Sequence, residues 1–223
     1  MTFPMASAIP DRAPMSFWQQ FISCQMTHNM DALVRDSIKD FHAPGFNYIC
    51  FQFTPWLTVR LYVTFPDDNF NTGVINIRDH LYDSSMLCLV GGFRNAVFEE
   101  RENLSGKYHC HLLTSALHPD NKDREIKLEY ERCVDLEMVS VKAYQPGDHH
   151  FQAASEIHMV TTVPVRMNAF MIWEFPTHKE RSRIYTCRRM GGTLPTPGAY
   201  NRYDSAEIRE ILTEVIRQMN KGH

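Results

Sequence analysis

No stretch of the sequence approaches the length of apolar chain needed to cross a membrane, and the opening MTFPMASAIPDRAP has neither the basic start nor the apolar centre of a secretory signal. The expectation is a soluble cytoplasmic protein with no membrane partner and a disordered N-terminus over residues 1–15. Close cysteine pairs are lacking too. Cys24, Cys50, Cys88, Cys110, Cys133 and Cys187 include no C-x-x-C, several sit in apolar strand-like runs where a thiol acts as a small hydrophobe, and reduced thiols fit best. With 23 basic against 26 acidic residues there is no excess of positive charge to grip nucleic acid. G-x-S-x-G, a phosphate-binding glycine loop and a dinucleotide fingerprint are all missing, and GGTLPTPG follows no apolar strand of the needed kind. Internal repeats and low-complexity segments are absent as well.

What is present suits one core. The 223 residues are 43% hydrophobic and 12% aromatic, enough for a single domain with terminal extensions. Residues 16–45 read as a helical extension: Ser16 with Gln19 has a capping-box pattern, apolar residues recur at three- and four-residue spacing through Phe41, and Ala43-Pro44-Gly45 ends it. From Phe46 the period becomes two. NYICFQF, LTVRLYVTF, VINIRDH, MLCLVGGF, NAVFEE, KYHCHLL, REIKLEYE, DLEMVSVKAY, EIHMVTTV and RMNAFMIWEF are about ten short strands separated by turn clusters. Such a series predicts a mainly β, antiparallel sandwich or barrel over 46–175. Residues 176–203 read as a loop segment, crossing the barrel mouth at its Pro- and Gly-rich end. Asp204 with Glu207 caps a C-terminal helix over 204–223, whose apolar stripe packs on the barrel or mediates a homodimer.

Two segments carry chemistry. In VINIRDH, Asn76, Arg78 and His80 alternate away from Ile75, Ile77 and Asp79. In YQPGDHHFQAASEIHMV, a Gly147-Asp148 turn leads to a strand bearing His158, eleven residues after the glycine. This second segment is similar to the second motif of the cupin superfamily, and RDHLYDSSMLCLVGGF resembles a degraded first motif. Arg78-Asp79-His80 stands where His-x-His is expected, Ser84 or Ser85 where Glu is expected, and Gly91 or Gly92 at the glycine. The outline is nearer still to cupin-like proteins with His-Asp-His-x-Trp-Asp-Phe, Ser, an apolar run and Gly-Gly-Tyr.

The resemblance implies a cupin-like jelly-roll barrel with flanking helices, holding a small molecule and often a divalent metal bound by three His and a Glu. Only His80 and His158 match ligand positions; a guanidinium has no lone pair to offer, so Arg78 cannot ligate. Tyr108-His109-Cys110-His111 supplies a second His-x-His, and His109 or His111 with His80 and His158 would complete a three-ligand site with an open position. On that reading the metal is Fe(II) and the protein a dioxygenase-like oxidoreductase, with Arg78, His80 and His158 catalytic and Arg78, Asn76 and Tyr144 contacting substrate. Cys88 and Tyr144 are the nearest candidates for the Cys–Tyr crosslink of thiol dioxygenases. His109 and His111 read equally well as polar residues on a solvent-facing side, and His149-His150 reads as exposed. The other reading is a metal-free cupin that binds a ligand or partner in the same cavity. An inward Arg78 without a carboxylate predicts an anionic ligand; one neutralised by Asp79 or Asp83 predicts nothing.

Overall fold

A computed structural model describes residues 13–39, 47–54, 57–65, 77–115, 126–163, 165–175, 181–194 and 202–221. The first helical segment is two helices, α1 (Met15–His28) and α2 (Met30–Asp36), broken at Asn29. Pro14 precedes α1 with no side-chain cap, so the expected Ser16 capping box does not form; a proline at that point already fixes the chain for helix entry. The second capping box does form. Asp204 accepts from the Glu207 N–H and Glu207 accepts from the Asp204 N–H at the start of α3 (Ser205–Met219), which buries Ile208, Leu212, Val215 and Met219.

Among the described residues twelve strands follow chain order: β1 (Asn47–Phe53), β2 (Thr58–Thr64), β3 (Ile77–Arg78), β4 (Asp83–Val90), β5 (Phe93–Glu102), β6 (Tyr108–Ser115), β7 (Ile126–Tyr144), β8 (His149–Gln152), β9 (Ile157–Thr162), β10 (Asn168–Phe175), β11 (Ser182–Thr186) and β12 (Gly192–Leu194). They make a five-stranded sheet ordered β1-β2-β10-β4-β8 and a seven-stranded sheet ordered β12-β7-β5-β9-β3-β11-β6. Within these, β2-β10-β4-β8 faces β7-β5-β9-β3, and the chain changes sheet at every step except β5 to β7. That order is the jelly roll, so the fold is an antiparallel β-barrel, with three helices among the described residues.

REIKLEYE and DLEMVSVKAY are one strand rather than two. The C-terminal half of β7 pairs with β5 and its N-terminal half with β6, so the seven-stranded sheet rolls up on itself. Short strands also occupy the span expected to be loop: β11 joins β3 to β6, and β12 pairs with the start of β7.

Strand alternation divides the apolar residues among three cores. The outer face of the five-stranded sheet, with Leu61, Leu87, Met171 and Trp173, packs under Trp18, Phe21, Leu212 and Val215 of the helices. Trp18 stacks on Trp173 with ring centroids 5.6 Å apart. Its inner face, with Tyr48, Tyr62, Cys88 and Phe170, meets Phe93 and Tyr144 between the sheets. Ile77, Cys110, Val134 and Tyr185 fill the interior of the roll. Gly91, at φ 74, turns the chain from β4 into β5 against the Met167 and Asn168 backbone and side chain, where a Cβ has no room.

Candidate functional site in the barrel interior

Arg78 on β3 lies directly opposite His158 on β9, which lies opposite Val97 on β5. Cross-strand partners share a face, and this face looks toward the five-stranded sheet, while Ile77 and Asp79 turn into or behind the roll. His80 is brought up by a latch between two turns. Its N–H donates to the Ala154 carbonyl at 3.0 Å, and the Ala154 N–H donates to Asp83 Oδ1 at 2.7 Å. The result places His80 Nε2 at 3.0 Å from His158 Nε2.

His158 is 4% exposed, and its Nδ1 has no hydrogen-bond partner. Burial pushes it down to about 3, with the Arg78 guanidinium and His150 acting the same way. It is therefore a neutral imidazole at any ordinary pH. Arg78 is itself lowered, chiefly by burial, with Tyr62 opposing and Arg60 adding. No hydrogen bond or ion pair reaches Arg78 among the described residues. Asp79 is engaged by the Arg183 N–H at 2.5 Å and Asp83 by Ala154, so neither sequence candidate neutralises it. A second interior arginine, Arg60, does have a counter-charge in Glu174, and it also lies 5.3 Å from the Tyr48 and Tyr62 ring centroids.

Beyond His158 the wall is polar. Tyr144 stacks on Phe93 and its hydroxyl lies 2.8 Å from His150 Nδ1; His150 Nε2 lies 3.1 Å from Asn95 Nδ2. Burial lowers His150, with Lys142 adding, and burial raises Tyr144. Glu156 is raised by burial, with Asn95 opposing, and its Oε1 stands 4.0 Å from His150 Nε2. Asn95 Oδ1, Gln152 Nε2 and Glu156 Oε1 are buried without hydrogen bonds.

His150, Asn95, Gln152 and Glu156 were not singled out by the sequence. The signal available was alternation in HHFQ: His150 and Gln152 turn inward, while His149 packs its ring 5.8 Å from Trp173 on the outer face. Two neighbouring histidines thus serve opposite sides of one sheet, and His150 is not the exposed residue expected.

His109 and His111 do not join His80 and His158. His111 is fully buried two strands from Arg78, across Ile184. Its Nε2 accepts from the Met190 N–H at 2.8 Å, and its Nδ1 lies 3.5 Å from Thr186 Oγ1. His109 Nδ1 lies 3.5 Å from Cys133 Sγ. Asn76 lies outside the described residues. The Tyr144 hydroxyl is engaged by His150 and the Cys88 thiol donates to the Val90 carbonyl at 3.8 Å.

No protein-family model matches the chain, and no characterised protein does. Among solved structures it is similar to the DMSP lyases RdDddP and RnDddQII (14% identity, 59% of this chain and 48% of that one, TM-score 0.31). It is similar also to FeII HppE (12%, 63% and 56%, TM-score 0.36) and to peruvianin-I, a cysteine peptidase from Thevetia peruviana latex (13%, 85% and 83%, TM-score 0.37). The chain spans about half the length of the lyase and HppE chains. Likeness at this level transfers no activity, and function has to be read from this chain's own residues.

Those residues do not form a metal set. Among the described residues no three His, Cys, Asp or Glu side chains converge on one point. His80 and His158 offer two imidazole nitrogens, already within hydrogen-bond distance of each other, with the Arg78 cation one strand away. Two donors beside a guanidinium make a poor cage for a dication and a good floor for an anion.

Proposed function

We propose that this chain is a cupin-type jelly roll that binds a small anionic molecule inside its barrel, with Arg78 as the clamp. One observation carries the reading: the Arg78 guanidinium is drawn into the interior with no carboxylate, whereas Arg60 in the same interior has Glu174. Arg78 is half-buried, so its charge stays reachable from the barrel, and a carboxylate, phosphate or sulfate entering there gains a charge-assisted contact that the protein leaves unmade. A planar fork of N–H donors suits two-point contact with such groups. His158, neutral and within hydrogen-bond distance of His80, adds polarity without adding charge.

Thermal unfolding in acetate, phosphate and sulfate, against chloride at matched ionic strength, tests this. At least one of the three should raise the midpoint of the wild type, and Arg78→Met should abolish the rise while Arg78→Lys keeps part of it. Equal midpoints in all four salts, or a rise that survives Arg78→Met, would overturn it.

A metal-dependent oxygenase with Fe(II) held by His80 and His158 is the second reading. It draws on the 3.0 Å Nε2 separation, which also suits two imidazoles sharing one ion at about 2.1 Å each. Plasma mass spectrometry of the purified protein decides it. Stoichiometric metal lost in His158→Ala would favour it; trace metal, unchanged after reconstitution with iron(II), would sink it.

A further inference from the structure

We infer that the anion held by Arg78 also carries an ammonium group seated against Glu156 and Asn95, so that the barrel takes a zwitterion of the amino-acid type. The inference rests on the anion reading above and adds the second half of the ligand.

Two groups of opposite charge stand on one interior wall without meeting each other. Arg78 faces His158, and Glu156 precedes His158 by two residues, about 7 Å along the chain. The Glu156 side chain turns to the same wall, since its Oε1 lies 4.0 Å from His150 Nε2. That imidazole cannot serve it. The Asn95 amide nitrogen can only donate, so His150 Nε2 accepts from it at 3.1 Å, and the ring's proton sits on Nδ1, donating to the Tyr144 oxygen at 2.8 Å. A lone pair therefore faces the carboxylate oxygen, and Glu156 Oε1 is left buried without a hydrogen bond, the Asn95 amide alone easing the carboxylate's charge.

Asn95 Oδ1 is the second uncovered acceptor on this wall, on a residue only 2% exposed. Two buried acceptors, one of them charged, call for a group with more than one donor and a positive charge. An ammonium has three N–H donors and the charge; a hydroxyl has one O–H and none. An ammonium would cover the two orphaned acceptors, Glu156 Oε1 and Asn95 Oδ1, and a carboxylate would give the Arg78 guanidinium a counter-charge, with charges matched at both ends.

Titration calorimetry on the full chain with propionate, lactate, alanine and β-alanine separates the possibilities, because the first three share a skeleton and differ only in carrying a hydrogen, a hydroxyl or an ammonium. Alanine or β-alanine should bind roughly tenfold or more tighter than propionate and lactate, the order of one charge-assisted contact. Glu156→Gln should remove that advantage and leave propionate binding as it was; Arg78→Met should remove all of it. Propionate binding as tightly as the amino acids, or an ammonium preference that survives Glu156→Gln, would overturn the zwitterion and leave the anion clamp standing. Absence of binding by all four would overturn both.

Discussion

The Nε2 atoms of His80 and His158 lie 3.0 Å apart, with the guanidinium-bearing Arg78 directly across the strand pair from His158. One imidazole must donate and the other accept, so at least one ring must stay uncharged, and His158, which burial holds neutral, is that ring.

Stability should therefore fall in mild acid. Unfolded, His158 takes up a proton near pH 6.5; folded, it does so only near about 3, so between these values the unfolded state binds more protons. Stability is intact above the unfolded value and is lost as pH drops through the window, at up to ~1.4 kcal/mol per pH unit for this group. His111 and His150, both lowered by burial, act in the same direction. Urea midpoints at about pH 7.5, 6 and 5 measure the slope. His158→Leu should reduce it, and an unchanged slope would show that His158 is not neutral in the fold.

Arg78→Met should raise stability by up to ~1 kcal/mol in anion-free buffer, because it removes a half-buried charge that has no ion pair and keeps the side-chain length. Denaturant unfolding checks it. A loss of stability would mean that Arg78 has a structural counter-charge.

His150→Ala and His149→Ala should behave differently although the residues are neighbours. The first leaves the Tyr144 hydroxyl and the Asn95 amide without partners in the interior, a loss of ~1–3 kcal/mol, and alters the near-ultraviolet dichroism of Tyr144. The second removes an edge-on contact with Trp173 beneath the helices and should cost ~0.5–1.5 kcal/mol, moving tryptophan fluorescence instead. Matching spectral changes in both variants would contradict the division of the two faces.

Gly91→Ala should cost ~2–4 kcal/mol, since it combines a strained φ of 74 with a Cβ only 2.6 Å from the Met167 carbonyl. Gly147→Ala, at φ 93 but with nothing near its Cβ, isolates the strain and should cost ~1–2 kcal/mol. Equal losses would remove the steric part of the argument.

Alternation made most strands between Phe46 and Phe175 legible, and with them the inward set of Arg78 and His158, because period two is a local property of the chain. The sheet that each strand joins is not local. REIKLEYE and DLEMVSVKAY are separated by Arg132-Cys133-Val134 and read as two strands; they are one because β5 and β6 hold different halves of β7. RIYT and GTL are too short to show a period, yet tertiary pairing makes them β11 and β12. The polar wall escaped for the same reason. Asn95, His150 and Glu156 come from β5, β8 and the turn before β9, and only the closed barrel brings them together. His109 and His111 matched a ligand spacing, but Met190 and Thr186 of the β11 region take the nitrogens of His111.

β7 belongs to two interiors at once, giving Tyr144 to the space between the sheets and Val134 to the roll. The roll closes only when β11, residues 182–186, arrives to bridge β3 and β6, long after the rest of its wall has been synthesised. Contacts of such sequence separation make folding slow, and they make it indivisible: neither interior can melt while the other stays shut. A nascent chain that stops short of Ser182 would emerge with β3 and β6 as raw sheet edges, the point at which this fold is most open to aggregation.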